Sequence, residues 1–463
     1  MNPLAARTCV LGALALLGAV ALAYANALAG PFQFDDYQVV ADNPQVHGLA
    51  AWWASMPGIR PLLKLSYALN WAASPAPRGF HAVNLAVHAA NGLLAWGLAR
   101  HLLARLAPAR LPASAAWWVA LLFVLHPSAT EAVTYVSGRS VSLMALFYLG
   151  SLLAFLEGER RERPWLSRLV SPLLFALALG VRETAVTLPL ALAMLAWFGG
   201  ATPRDALRGL GGHALVLLLA AALALLLPGY ERFFAHSLGA RGPGEQLLAQ
   251  AVAHAHLLGH SLLGLRTNLD PDLRLPPGLD AATASTLAAM AAAAGLALLS
   301  RRRWPWLGFA IAWYALQLAP TNSLLPRFDL ANDRHLYLAL PGVAMAVVVA
   351  LLGHGWRPAG RAALLALACW MGLLSHRRND DWRSELALWQ ATVQASPAKP
   401  RAWVNLGWAL QQAGDLPGAR HAYACALSLD PGHAQAAINL AALGPGPATQ
   451  GENFPVAPGR RNC

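Results

Sequence analysis

The sequence predicts an all-α protein with a polytopic membrane domain of about eleven spans, followed by a short helical tail. Of its 463 residues, 57% are hydrophobic and 12% are charged, about half the charged fraction of an average soluble domain. Apolar runs of about 17–25 residues recur along positions 1–376, and this length crosses a bilayer as a helix. An internal repeat follows these runs and indicates a separate helical tail.

The positive charge of the chain is explained by orientation in a membrane. Lysine plus arginine number 34 against 22 aspartates plus glutamates, giving a net charge of +12. No basic tract is interleaved with aromatic residues, so no nucleic-acid partner is expected. Most arginines lie in short loops between apolar runs, where they mark the cytoplasmic side. The four cysteines lack paired spacing, so neither a disulfide framework nor a zinc site is indicated.

The arginine-rich loops define the predicted topology. The loops placed in the cytoplasm are Arg100–Arg110, Glu157–Arg168, Pro203–Arg208, Arg301–Arg303 and Arg357–Arg361. This placement requires spans near residues 8–29, 82–104, 114–127, 141–157, 169–182, 184–199, 212–228, 281–300, 306–325, 335–353 and 361–376. The first run, Cys9–Leu28, is interpreted as an uncleaved span because it is longer than a typical signal core.

The apolar segment 247–265 is predicted not to cross the membrane. If it crossed, the arginines at 301–303 would be exported, so a re-entrant or interfacial helix with His254, His256 and His260 is expected. The chain is then an integral protein of the plasma (inner) membrane with a cytoplasmic N-terminus. Everything after about Ser375 is expected on the external, periplasmic side.

The tail carries a repeat. Pro397 recurs as Pro431 and Asn405 as Asn439, 34 residues further on in each case, which is the tetratricopeptide period. We therefore divide the chain into a membrane domain at 1–376, a repeat region at 377–445 and a disordered tail at 446–463. One repeat with partial neighbours needs the membrane domain or a partner to cover its core. A generic helical hairpin is the alternative.

Charged clusters remain on the external side of this topology. They are Asp35–Asp36, Arg60 with Lys64, the segment from His126 to Arg139, Arg182–Glu183, and the segment from Pro326 to Leu338. External basic residues oppose the orientation bias and must be compensated. A solvated surface with local ion pairs is one explanation. An anion-binding cavity at the membrane interface is the other, and it is favoured because several of these residues sit at span ends among apolar neighbours.

Two polar stripes are expected on helices. A helix that starts at Pro127 would place Glu131, Tyr135 and Arg139 on one face, either in a site or as an exposed interfacial ion pair. The second span carries four polar residues at steps of 3, 4 and 3, which favours hydrogen bonds between helices or a cavity lining: His81, Asn84, His88 and Asn91. The two histidines are too far apart for joint metal ligation, and no metal ligand is assigned.

Six segments follow one another along the chain: "FQFDDYQVVADNPQV", "RPLLKLSYALNW", "FHAVNLAVHAANGLL", "LHPSATEAVTYVSGRSVSL", "VRETAVTLPLAL" and "NDRHLYLALPG". In this order, and with the tail, they resemble the tetratricopeptide-repeat O-mannosyltransferases, relatives of the protein O-mannosyltransferases with the multi-span GT-C fold. The resemblance implies transfer of a sugar from a polyprenyl-phosphate carrier to an acceptor outside the membrane. Two departures are Arg182–Glu183 in place of Lys-Glu, and Asp333–Arg334–His335 in place of Glu-Arg-Tyr.

This chemistry suits the external residues. An attacking hydroxyl group needs a general base, and a leaving phosphate needs cations, for which arginine provides a bidentate fork. By resemblance, Asp35 is the base, and Asp36 orients it or helps to bind a cation. The predicted site comprises the catalytic acids Asp35 and Asp36, the donor-phosphate ligands Arg139, Arg182 and Arg334, and the supporting residues His126, Glu131 and Glu183. Capping of a following helix is the structural alternative for the acid pair.

The expected enzyme is an inverting hexosyltransferase that moves a sugar, mannose-like by resemblance, from polyprenyl phosphate to a hydroxyl group. The repeat tail favours a protein acceptor, and membrane lipid is the other expected partner. No cofactor is certain, and a divalent cation near Asp35 and Asp36 stays open. Alternatives are a transferase that modifies lipid or envelope polysaccharide, a lipid-linked sugar transporter or flippase, and a non-catalytic scaffold. A transporter predicts ionisable residues in the middle of spans, and a scaffold would not need the acid pair.

Overall fold

The computed structural model describes residues 3–56, 58–107, 111–265, 267–323, 326–353 and 358–444. Within these ranges every regular element is helical, and no strand occurs. The predicted all-α fold class is confirmed.

The α-helices of the described residues are numbered in chain order. The first ten are α1 (Pro3–Ala23), α2 (Leu49–Ala54), α3 (Pro61–Ala73), α4 (Pro77–Leu106), α5 (Ala115–Val124), α6 (Thr130–Val133), α7 (Arg139–Arg160), α8 (Ser171–Val181), α9 (Leu188–Phe198) and α10 (Pro203–Leu207). The rest are α11 (Gly211–Leu226), α12 (Pro228–Leu238), α13 (Pro243–Leu263), α14 (Ala281–Leu299), α15 (Pro305–Leu318), α16 (Leu340–Leu352), α17 (Pro358–Asp381), α18 (Glu385–Ala395), α19 (Pro400–Gln412), α20 (Leu416–Leu429) and α21 (Ala434–Ala442). Two short 3-10 turns carry site residues, Glu183–Thr187 and Asp333–Leu336.

Among the described residues, five helical segments are long and apolar enough to cross a membrane. They are α1 from Ala6 onward, α4, Val136–Arg160 (which contains α7), α14 and α17. Ala115–Val124 and Pro127–Val133 are bent by 55° and make a sixth if they count as one span. These helices fit an integral membrane protein.

This number is smaller than the eleven predicted spans, although each predicted segment contains a helix. The five predicted spans that are not among these helical segments contain α8, α9, α11, α15 and α16. These helices have 11 to 16 residues and are about 17–24 Å long at 1.5 Å per residue. The hydrocarbon core is about 30 Å thick. Crossing by these shorter helices stays a prediction, as does the re-entrant course of α13.

The interior of the membrane domain is organised around α4, which packs against α1, α5 and α7. The four polar residues of its predicted face are all buried: His81, Asn84, His88 and Asn91. His88 hydrogen-bonds the Tyr337 hydroxyl at 2.7 Å and the Val124 carbonyl at 3.1 Å, and Asn91 donates to the Ser142 carbonyl at 2.8 Å. The prediction of hydrogen bonds between helices is confirmed for this face.

The prediction of a continuous helix from Pro127 to Arg139 is wrong, because the helix is interrupted at Tyr135. α6 ends at Val133, the backbone of Tyr135 is extended (φ −69°, ψ 123°), and a 3-10 turn at Val136–Gly138 leads into α7. Glu131 and Arg139 therefore do not share a helical face.

Two contacts accompany this break, one from the distant helix α4 and one within the segment itself. Asn84 of α4 donates hydrogen bonds to the carbonyls of Val133 and Tyr135, at 3.0 and 3.3 Å. Gly138 folds back so closely that a Cβ atom there would lie 2.3 Å from the Glu131 carbonyl oxygen. Glycine alone fits this approach, and the tertiary contacts override the local helical pattern.

The tail helices pack in sequence, with α19 between α18 and α20. α17 runs past the predicted boundary at residue 376 to Asp381, so the tail is continuous with a long apolar helix. Arg401 of α19 also forms ion pairs with Asp270 and Asp329, at 2.7 and 2.8 Å. The domain limits and the tetratricopeptide assignment stay predictions, and the segment 446–463 lies outside the described residues.

Candidate active site

The predicted acid pair follows a strained corner of the backbone between α1 and α2. Phe34 has a φ of 51°, in the left-handed region that a residue other than glycine rarely adopts. Its ring packs against Trp389 of α18 with ring centroids 5.3 Å apart. Such strain persists where the surrounding structure holds it, and it is common at functional sites. The contact fixes the backbone next to Asp35.

Asp36 is buried and ties this loop to the segment before α7. Its Oδ1 accepts hydrogen bonds from the amide and the hydroxyl group of Ser137, at 2.7 and 2.5 Å, and its Oδ2 accepts from the Gln33 amide at 3.1 Å. Burial raises the pKa of Asp36 to about 7, the hydrogen bonds act in the opposite direction, and the charge of Asp35 raises it further. The side chain does not cap the helix that follows. Asp36 is therefore suited to positioning the loop.

Asp35 is partly buried, and its carboxylate is available. The backbone amide of Asp35 donates to the Tyr135 hydroxyl at 3.0 Å. Within the described residues, no donor or cation is bonded to its carboxylate oxygens. A carboxylate in this state can accept a proton from a hydroxyl group bound beside it.

Tyr135 connects Asp35 with Arg334. The guanidinium carbon of Arg334 lies 6.0 Å from the centroid of the Tyr135 ring, at the outer limit of a cation–π contact. Trp382 stacks on the same ring at 5.1 Å between centroids. Burial tends to lower the pKa of Arg334, but the negative charge of Glu131, with smaller effects from Tyr135 and Asp35, outweighs it and raises the pKa overall. Asp35 and Arg334 therefore belong to one site.

Arg334 is held by Glu131 and keeps part of its guanidinium free. Its Nη1 lies 3.4 Å from Glu131 Oε1, and its backbone amide donates to Glu131 Oε2 at 3.1 Å. Among the described residues, Nε of Arg334 is buried and has no hydrogen-bond partner. The side chain is 20% exposed, against 2% for Glu131. A ligand oxygen can therefore reach only the exposed part of the Arg334 side chain.

A small pocket beside Arg334 concentrates positive charge. It is also lined by Arg182, Gln317 and His335. Arg182 is buried, donates to the Ser140 hydroxyl at 2.7 Å, and lies within electrostatic range of Arg60, Arg327 and Arg334. Burial and the charges of Arg60 and Arg334 lower the pKa of Arg327, with Glu183 opposing them.

Two carboxylates compensate part of this charge. Glu183 pairs with Arg60 through three hydrogen bonds of 2.9, 3.0 and 3.1 Å and accepts another from the Tyr230 hydroxyl at 3.3 Å. Glu131 pairs with Arg334. In the described part of the chain, neither Arg182 nor Arg327 pairs with a carboxylate. This surplus favours an anion-binding cavity over a solvated surface of ion pairs.

Arg139 has its guanidinium occupied by protein. It is 0% exposed. Its Nε donates to Asn84 Oδ1 at 2.6 Å, Nη1 to the Ser66 carbonyl at 3.2 Å, and Nη2 to the Phe80 carbonyl at 2.9 Å. Arg139 does not line the pocket of Arg182 and Arg334. Its role as a phosphate ligand stays a prediction that these bonds do not favour.

His126 is also occupied by protein. It is buried, Nδ1 accepts from the Ser128 amide at 3.2 Å, and Nε2 is bonded to the Ser261 carbonyl at 3.1 Å. A carbonyl only accepts, so this pattern assigns the neutral ring with its proton on Nε2. His126 joins the loop before α6 to the end of α13, and its supporting role stays a prediction.

Sequence reasoning did not select three residues that contact or lie near the candidate site. Arg327 carried a usable signal, because it lies, like Arg334, in a predicted external loop among apolar neighbours. Ser137 and Trp389 carried none. The hydrogen bond from Ser137 to Asp36 joins residues 101 positions apart, and Trp389 reaches Phe34 from the tail.

The geometry defines a helical membrane protein with an acid beside an arginine-rich pocket. No family profile of known proteins matches the chain. It is 25% identical over 461 residues to the protein O-mannosyl-transferase TMTC3 of Mus musculus, covering 86% of this chain and 48% of that protein. It is 24% identical to TMTC3 of Homo sapiens, covering 86% and 49%. It is 34% identical over 216 residues to Tmtc2 of Drosophila melanogaster, covering 41% and 21%.

The resemblance that was based on six segments and their order along the chain is confirmed. The chain is a sequence relative of proteins named protein O-mannosyl-transferase TMTC3. It spans about half the length of the curated relatives that it matches.

Proposed function

We propose that the protein is a membrane glycosyltransferase that moves mannose from a polyprenyl-phosphate carrier to a hydroxyl group of a protein on the external face. One observation carries this proposal: Asp35, whose backbone amide bonds the Tyr135 hydroxyl, and Arg334 of the arginine-rich pocket both contact Tyr135. The names of the relatives support the sugar and the class of acceptor.

The reaction needs one base and one anion site. Asp35 takes the proton of the acceptor hydroxyl group as its oxygen bonds to the anomeric carbon. The bond from that carbon to the phosphate oxygen breaks, and the polyprenyl phosphate leaves with the electron pair. Attack opposite to the leaving group inverts the anomeric centre. Arg334 and Arg182 stabilise the charge that develops on the phosphate, an effect that is strong in a site with little water.

The other predicted residues position these groups. Asp36 holds the base loop through Ser137, Glu131 holds Arg334, and Glu183 holds Arg60. Because the oxygens of Asp36 already accept three hydrogen bonds, the proposal does not place a cation on the acid pair.

The proposal includes the finer architecture. The membrane domain is GT-C-like with eleven crossings and a cytoplasmic N-terminus, and the tail is a tetratricopeptide array on the external side. An acceptor protein held by this tail would lie close to the reacting groups, because α18 contacts Phe34, the neighbour of Asp35.

Transfer of radiolabelled mannose from purified polyprenyl-phosphate mannose to a serine- and threonine-containing peptide tests the proposal. Asp35→Asn should lose about 10²–10⁴-fold in turnover, because an amide cannot act as the base. Folding should be unaffected, since the bond to Tyr135 comes from the backbone. Asp42→Asn is the matched control, an exposed acid in the same loop. Parental turnover in Asp35→Asn, or no transfer by the parent protein, would overturn the proposal.

A further inference from the structure

A second cluster of chemically active side chains lies beside the arginine-rich pocket. His256 and His260 are one turn apart on α13, and Asp333 opens the 3-10 turn that also contains Arg334. One nitrogen of each histidine and one oxygen of Asp333 lie within 4.8 Å of one another. His260 and Asp333 are buried, and His256 is partly buried.

The contacts within the trio are close. Nδ1 of His260 lies 2.6 Å from Oδ1 of Asp333, and the rings of His256 and His260 have centroids 4.0 Å apart. Among the described residues, no hydrogen bond is made by the ring nitrogens of His256. An imidazole nitrogen without a hydrogen-bond partner therefore lies within 4.8 Å of a second imidazole nitrogen and of a carboxylate oxygen.

The surrounding structure fixes the end of α13 that carries these histidines. The Ser261 carbonyl is bonded to His126 at 3.1 Å. Gly264 ends the helix in the left-handed region with a φ of 61°, and a Cβ atom there would lie 2.3 Å from the Pro127 ring. A site whose ligands sit on a packed helix end is preorganised.

We propose that His256, His260 and Asp333 bind a divalent transition metal ion of the zinc class. Two imidazoles and a carboxylate suit this class and leave a coordination position open. Zinc binds nitrogen and oxygen at about 2.0–2.2 Å, so two donors of a tetrahedral ion lie about 3.3–3.6 Å apart. Metal binding therefore requires His256 to move closer and the 2.6 Å contact between His260 and Asp333 to open. This site is separate from Asp35 and Asp36, and metal binding does not depend on the proposed transfer reaction.

The nearby charges bear on the affinity. Asp333 supplies one negative charge, and Arg334 follows it in the chain with Glu131 as its partner. A bound ion would join α13 to the turn Asp333–Leu336 and so fix the residue next to it, Arg334. The alternative is a hydrogen-bonded histidine–aspartate pair with a second histidine packed on it.

Metal binding is measured on the full-length protein in detergent. Protein stripped with a chelator is dialysed against Zn²⁺, and bound metal is counted by mass spectrometry; Co²⁺ replaces Zn²⁺ for absorption spectra. The parent should bind one equivalent. His256→Ala should weaken binding at least tenfold, since even loss of a residue that supports a ligand costs about 10–100-fold. His256→Cys, which keeps a zinc ligand, should retain binding and change the Co²⁺ spectrum.

The matched control is His254→Ala, on the same helix but bonded to the Asn322 carbonyl at 3.0 Å. It should bind like the parent. Absence of stoichiometric metal in the parent, or equal affinity of the parent and His256→Ala, would show that the trio is only a hydrogen-bonded cluster.

Discussion

The ring of Phe34 lies edge-on against the indole of Trp389, with centroids 5.3 Å apart and ring planes at 77°. Trp389 is 1% exposed and belongs to an apolar cluster that includes Tyr135 and Trp382. The first tail helix, α18, is therefore a wall of the candidate active site. It holds the strained residue that precedes Asp35.

Trp389→Ala should lower sugar transfer by about 10–100-fold, because a misplacement of about 1 Å at a reacting group has an effect of that size. Trp389→Phe keeps an aromatic edge and should retain most of the activity. Removing a buried tryptophan also costs about 3–5 kcal/mol of stability, so turnover is expressed per folded molecule, with melting curves in parallel. Trp408→Ala, at a residue of α19 that is 45% exposed, is the control. If folded Trp389→Ala protein had the turnover of the parent, the contact between α18 and Phe34 would have no role in activity.

Arg334→Lys should keep the positive charge and lose the fork that matches phosphate oxygens. We expect transfer to fall about tenfold, the rate equivalent of one charged hydrogen bond of about 1.5 kcal/mol. The measurement is the rate at limiting donor concentration, with Arg383→Lys, at an exposed position, as control. If both Arg334→Lys and Arg334→Ala matched the parent, Arg334 would have no role in donor binding.

Asp36→Asn should remove a pH dependence of stability. The pKa of Asp36 rises from 3.8 to about 7 in the folded protein, so folding takes up a proton between these values. This group therefore makes the parent less stable as pH rises through that window. The difference in melting temperature, Asp36→Asn minus parent, should increase with pH up to about pH 7. Above that pH the difference should stay constant. Asp42→Asn, at an exposed acid of the same loop, is the control. A pH-independent difference for Asp36→Asn would contradict the raised pKa.

Arg139→Lys tests whether this arginine binds a ligand or stabilises the folded protein. A lysine cannot satisfy Asn84, Ser66 and Phe80 together, and each buried acceptor left unpaired costs about 1–3 kcal/mol. We expect a lower melting temperature and near-parental turnover in the molecules that remain folded. Arg100→Lys, at an exposed position of α4, is the control. Lost transfer with an unchanged melting temperature would restore Arg139 as a phosphate ligand.

Reporter fusions test the proposed topology. A reporter that is active only outside the membrane should be active after residue 444 and inactive when inserted at 301–303. Both results follow if α13 does not cross and arginine-rich loops stay inside. Inactivity after residue 444 would place the tail in the cytoplasm and remove the shared external face on which the proposed site depends.

The sequence predicted those parts of the structure that depend on local pattern. Apolar runs gave a helix in each predicted span, and the spacing of polar residues on α4 gave its buried face. The break at Tyr135 could not be predicted from a helical pattern, because Asn84 bonds this segment from a helix 51 positions away.

The same limit applies to the candidate site. The acids and arginines were selected by residue type and by position at span ends, and the structure brings Asp35 near Arg334. Whether an arginine faces a pocket or the interior is decided by its neighbours, and Arg139 shows this. Asp333 and His260 lie 73 positions apart, so no local periodicity could indicate their contact.

The last turn of α17 has a consequence for protein engineering. Asn379 accepts a hydrogen bond from the Thr134 hydroxyl at 2.6 Å and donates one to the Ala23 carbonyl at 3.1 Å. Three residues later, Trp382 stacks on Tyr135. Chimeras that graft a foreign helical tail directly after α17 would therefore remove residues that pack against the candidate active site. Exchanging only α20 and α21, whose neighbours are other tail helices, would leave these contacts in place.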